Sequence, residues 1–110
     1  MLNQVVLVGR LTDNPEVKTL EGGRNVTYIV LAVQRNYKNM DGIYETDFIR
    51  CILWDAIATN TSEYCHKGDI VGIKGRIQTS NYEKDGERKY VTDVVAEKVT
   101  FLATKKDQDD

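Results

Sequence analysis

Residues 46–54 read Thr-Asp-Phe-Ile-Arg-Cys-Ile-Leu-Trp. Side chains on a β-strand alternate between two faces, so this stretch sorts into Ile49, Cys51 and Leu53 on one side and Phe48, Arg50, Ile52 and Trp54 on the other. The first set suits a core; the second joins two aromatic rings to a cation. The inverted packing, with Phe48 and Trp54 inward, competes because strands are rich in aromatics. Arg50 shares the face of Phe48, and arginine is rarely buried without a partner, which favours the rings outward.

The arrangement recurs downstream, with Val71, Ile73, Gly75 and Ile77 on the expected core face and Lys74, Arg76, Gln78, Ser80 and Tyr82 on the outer one. From these two stretches, period-two alternation extends over most of the chain between Val5 and Leu102. It predicts strands over 3–11, 25–35, 46–54, 70–83 and 88–102, with Gly9 as a bulge or bend in the first. Asn14-Pro15 marks a break, Glu21-Gly22-Gly23-Arg24 and Lys84-Asp85-Gly86-Glu87 read as hairpin turns, and 36–45 reads as a polar loop with Asp41-Gly42 at its tip. A helix is predicted over 55–67, capped by Asp55, closed by Lys67 and Gly68, and striped by Ile57, Thr61, Tyr64 and Cys65. Five strands with one helix between the third and fourth is the element order of an OB-fold, an all-β five-stranded Greek-key barrel. Residues 1–102 are expected to form this single domain and 103–110 a short polar disordered tail.

Composition narrows the function classes. The chain has 110 residues, 41% of them hydrophobic, enough for one globular domain. No run of about 18 apolar residues predicts a membrane helix, and Met1-Leu2-Asn3-Gln4 lacks the basic start of a secretory signal, so a cytoplasmic location is expected. The two cysteines form no CxxC pair; Cys51 reads as a buried reduced thiol. Cys65 and His66 are neighbours in a predicted helix, point in different directions and have no third orienting group, so they do not read as a nucleophile pair. No paired-carboxylate, metal-ligand or GxxxxGK[ST] pattern stands out. The expectation is a protein that is not an enzyme and has no metal or cofactor.

The outer faces have a physical use. An aromatic ring stacks on any base, and cations between rings meet phosphates and release counterions. Neither interaction reads base edges, and a duplex hides its base faces, so the pattern implies sequence-tolerant binding of single strands. Fifteen Lys and Arg against seventeen Asp and Glu give a net charge of −2; for a phosphate path the placement of cations matters more than the sum. Tyr37 and Tyr44, in the polar loop with Arg35 and Lys38, are expected to be exposed. Lys84, Arg88 and Lys89 lie beside Asp85 and Glu87 and read as an ordinary solvated hairpin.

At Asn3–Leu11, Asn14–Lys18, Thr46–Trp54, Ser62-Glu63-Tyr64, Lys67-Gly68 and Ile73–Ile77, in that order, the chain resembles the bacterial single-stranded DNA-binding protein family of the homotetrameric type. The resemblance implies stacking on Tyr37, Phe48, Trp54 and Tyr82 and a cation, Arg50, between the rings of residues 48 and 54. Relatives often carry cations just before the aromatic matched by Tyr82; here Gln78-Thr79-Ser80-Asn81 stand there, with Lys74 and Arg76 further back. Together with Arg35 and Lys38 these are the candidate DNA-binding residues. Single-stranded DNA and other copies of the chain are the implied partners, in replication, repair, recombination or natural transformation. Full-length relatives end in a long linker and an acidic tip with a terminal hydrophobe that recruits other enzymes. This sequence ends Lys105-Lys106-Asp107-Gln108-Asp109-Asp110, so recruitment through such a tip is not expected. It reads either as a truncated form or as a short paralogue resembling those tied to DNA uptake in some Gram-positive bacteria. Two other readings stand beside this one: an OB-fold interaction module of a replication-restart complex, and an RNA-binding OB-fold.

Overall fold

The structure is a computed structural model that describes residues 1–104. Its elements are β1 (Val5–Leu11), β2 (Lys18–Thr19), β3 (Asn25–Lys38), β4 (Tyr44–Trp54), α1 (Asp55–Tyr64), β5 (Ile70–Lys84) and β6 (Glu87–Ala103). β1 pairs antiparallel with β5 from Val5↔Gly75 to Arg10↔Ile70. At its end it also pairs with β3, through Arg10↔Ala32 and Leu11↔Leu31. The order β1-β5-β6-β4-β3 thereby closes on itself, with β2 added beside the start of β3. The result is the expected closed five-stranded barrel of the OB-fold, with the helix between β4 and β5.

The core follows from the alternation. Leu11, Ile29, Leu31, Cys51, Leu53, Val71, Ile73, Val94 and Ala96 fill the barrel, and Ala58 and Cys65 join them from the helical segment. Burial pushes the Cys51 thiol up to about 11, as suits a reduced, inert cysteine. Two glycines are required by close approach. A Cβ at Gly9 would lie 2.6 Å from the Ala32 carbonyl oxygen, where β1 passes from β5 to β3. A Cβ at Gly75 would overlap the carbonyl of Val95, beside an irregularity in the β5–β6 register.

Several expectations need correction. Gly9 is no bulge: β1 stays in continuous register with β5 through it. A two-residue strand, β2, was not anticipated; it is too short to show a period. The loop expected over 36–45 is mostly strand, so Tyr37 and Tyr44 stand on β3 and β4, and the turn is confined to Asn39–Ile43. There the Asn39 side chain accepts hydrogen bonds from the backbone N–H groups of Asp41 and Ile43. The helix ends at Tyr64, with the Cys65 N–H bonded to the Thr61 carbonyl, and the Tyr64 ring is exposed while Ala58 and Thr61 carry the buried stripe. Asp55 makes no side-chain cap; Trp54 holds the cap position and Asp55 bonds elsewhere. Ile77 is 45% exposed instead of core, because the β5–β6 hairpin leaves the barrel at that point. The tail expected over 103–110 begins later than that, since β6 continues to Ala103; its residues 105–110 lie outside the described residues. Among the described residues no helix is long and apolar enough to cross a membrane.

Crowding at Gly9 has a measurable consequence. Gly9→Val is expected to lower unfolding free energy by about 1–3 kcal/mol in a denaturant titration. Gly72→Ala, whose added Cβ would meet nothing nearer than 3.6 Å, is expected to change it by less than about 0.5 kcal/mol.

Candidate nucleic-acid interface

Register determines which side chains share the outer face. Tyr28 pairs with Ile52, Ile52 with Val95, and Val95 with Arg76, so one row runs across β3, β4, β6 and β5. Val30 pairs with Arg50 and Asp93 with Gln78; Arg50 and Asp93 each precede the parallel Cys51↔Val94 pair, so they adjoin in the next row. Phe48 and Trp54 lie on β4 to either side. Ile52 and Val95 are buried on this face although they are not part of the barrel core. The expected residues Phe48, Arg50, Trp54, Lys74 and Arg76 are therefore brought onto one surface, with the rings outward.

Two guanidinium groups lie over two rings. Arg50 sits 4.8 Å from the centroid of Tyr28, and Arg24 sits 4.3 Å from that of Trp54. Each also meets a carboxylate. Arg50 Nε lies 2.9 Å from Asp93 Oδ1. Arg24 donates from Nη2 to Asp55 Oδ2 at 2.8 Å, and the Asn25 N–H donates to Asp55 Oδ1 at 3.3 Å. Asp55 adopts a positive φ of 51°, a conformation that aspartate tolerates better than most side chains. Its bond from Arg24 holds its carboxyl below the usual carboxylate range. Phe48 is 68% exposed and Tyr28 48%. Among the described residues no ion pair engages Lys74 or Arg76; Arg76 donates to the Gln78 side chain at 3.0 Å.

The other candidates stand on two hairpin arms. Tyr37 and Lys38 are exposed near the end of β3, where the Lys38 ammonium lies 5.7 Å from the Tyr44 ring. Arg35 is held by Asp47, at 2.9 Å from Nη2 to Oδ1, and by Glu45; this pairing holds Asp47 below the usual carboxylate range and raises Arg35 further. Tyr82 is exposed on the β5–β6 arm, on the same strand face as Arg76. Arg88 and Lys89 pair with Glu83 and Glu87, as expected of a solvated hairpin. Cys65 is buried and its thiol pushed up by burial, away from nucleophile chemistry.

Three residues were missed from the sequence: Tyr28, Arg24 and Asp93. Tyr28 was within reach, since Thr27, Ile29 and Leu31 point inward and leave it outward by simple alternation. Arg24 and Asp93 depend on pairings between distant strands, Val26↔Trp54 and Cys51↔Val94, which no local pattern reveals.

The family model that matches is described as the single-strand binding protein family and spans residues 2–102. The chain is 47% identical over 106 residues to Single-stranded DNA-binding protein B of Bacillus subtilis, covering 96% of this chain and 94% of that one. It is 49% identical over 106 residues to Single-stranded DNA-binding protein 3 of Listeria innocua, covering 96% of this chain and 66% of that one. It is 47% identical over 110 residues to a Single-stranded DNA-binding protein of Staphylococcus aureus, covering 99% of this chain and 70% of that one.

The Arg24–Asp55 pair gives a pH signature. Because the folded Asp55 carboxyl titrates low, the pair's contribution is present above the unfolded-state pKa and is lost as pH falls through the folded value. Carboxyl NMR titration is expected to place Asp55 below an ordinary aspartate, and Arg24→Gln to move it upward.

Proposed function

We propose, from the premise that the chain belongs to the single-strand binding protein family, that it binds single-stranded DNA without reading base sequence. One observation carries this reading: rings and cations alternate on a single outer face of the barrel, with Phe48 and Tyr28 exposed and Trp54 half-buried beneath the Arg24 guanidinium. Phe48 and Trp54 on β4 offer stacking surfaces, joined by Tyr28 on β3. Arg50, Lys74 and Arg76 supply charge between and beside them, and Arg24 lies at the Trp54 end. Bases meet the rings through their π-faces and phosphates meet the cations, so affinity comes from groups common to every nucleotide. A duplex keeps its π-faces stacked internally and offers only the phosphate contacts.

Tyr37 with Lys38, and Tyr82, extend the strand's path along the two arms. Arg35, clamped by Asp47 and Glu45, serves as the brace of the arm that carries Tyr37. The protein is a binding protein and not an enzyme. We place it in the cytoplasm with the DNA it covers, where it protects single strands during replication, repair, recombination or natural transformation. Its assembly is a homotetramer; the exposed Val6 and Val8 of β1 and Leu102 of β6 form an apolar strip suited to meeting other copies.

Removing one stacking ring tests the reading. Phe48→Ala is expected to weaken oligo(dT) binding by about 1–3 kcal/mol without loss of fold, since the ring is largely solvent-exposed. The logarithm of the binding constant should fall linearly with the logarithm of salt concentration, by roughly 0.7 per phosphate contacted. A folded variant of unchanged affinity, or salt-independent binding, would exclude this interface.

A further inference from the structure

We infer that Asp93 is a positioning residue for single-strand binding: it holds the Arg50 guanidinium over Tyr28 and leaves its free edge for a phosphate. The inference rests on the single-strand reading above and deepens it. Asp93 stands on the outward face of β6, yet its side chain is only 5% exposed, whereas that of Arg50 is 51% exposed. A carboxylate buried on a surface meant for a polyanion is unfavourable twice over, by desolvation and by repulsion of the ligand. Its presence there needs a compensating role, and Arg50 supplies one. Arg50 Nε lies 2.9 Å from Oδ1, and Nη2 donates to Oδ2 at 3.4 Å. Oδ1 has no well-aligned hydrogen bond, so the contact is chiefly ionic at that oxygen.

A guanidinium has five N–H donors in a fixed fork. Asp93 occupies the Nε side, and the Tyr28 ring lies 4.8 Å from the guanidinium carbon. The Nη1 side is left for a phosphate, already oriented before DNA arrives, so binding costs less side-chain entropy. The Arg24–Asp55 pair has the same composition but a different setting. Both of its side chains are about half exposed, at 58% and 52%, so solvent screens it and either partner moves without leaving a buried charge. Asp93, unlike Asp55, fixes its arginine from within the barrel wall.

Wild type, Asp93→Asn, Arg50→Gln, the double variant and Arg50→Lys are compared by fluorescence anisotropy with labelled oligo(dT), with circular dichroism melts as the fold control. Asp93→Asn is expected to bind about tenfold more weakly, even though it removes a negative charge from the DNA face, and to cause no further loss in the Arg50→Gln background. Folded Asp93→Asn that binds as well as wild type, or better, overturns the inference. If Asp93→Asn does not fold, Arg50→Lys decides. It keeps the charge but not the fork, so a loss of about tenfold supports the inference and wild-type affinity overturns it. Wild type that fails to bind oligo(dT) removes the underlying reading and the inference with it; wild type that binds beside an unaffected Asp93→Asn removes only the role of Asp93.

Discussion

β1 bonds to two strands at once, to β5 along its length and to β3 at its end, and the rest of the molecule depends on that double pairing. It turns a sheet into a barrel whose wall has an inside and an outside. A slip of one residue in any register would exchange the two, so burial of Ile49, Cys51 and Leu53 commits Phe48, Arg50 and Trp54 to the outside. The passage of β1 between its partners leaves no room for a Cβ at Gly9, which makes the smallest side chain a condition of closure.

The outer surface combines cations held by carboxylates with cations that form no ion pair among the described residues. Arg24, Arg35 and Arg50 each meet a carboxylate, while Lys74 and Arg76 form no ion pair among the described residues. This pairing lets the proposed DNA-binding face exist on a chain of net charge −2. Asp55 and Asp93 meet guanidinium groups that lie against rings, Arg24 over Trp54 and Arg50 over Tyr28, and the two cations on β5 add uncompensated charge beside them. Orientation and attraction are thus divided between strands.

The barrel was legible because alternation is a local property, visible within nine residues of β4. The site residues on β4 and β5 followed from it for the same reason. Where the barrel ends was not legible: Ile77 keeps its place in the alternation but has passed the core, which only the three-dimensional path of β5 determines. Asp55 reads as a cap by residue type, yet its carboxylate is drawn to Arg24 and Asn25 by a pairing of β3 with β4 that no spacing within the helix announces. Tyr37 and Tyr44 read as loop because polar neighbours hide the continuation of the strands. Asp93 carries no local signal in the sequence; its burial beside Arg50 depends on the parallel pairing of β4 with β6.

Single strands that stack on the face carrying Trp54 must perturb its emission, and Trp54 is the only tryptophan in the chain. Its fluorescence therefore reports on one predicted stacking position, and oligo(dT) of graded length is the direct probe. Saturable quenching by single strands is expected, with little or none by duplex of equal length. Emission indifferent to single strands, or quenched equally by duplex, would contradict stacking on this face.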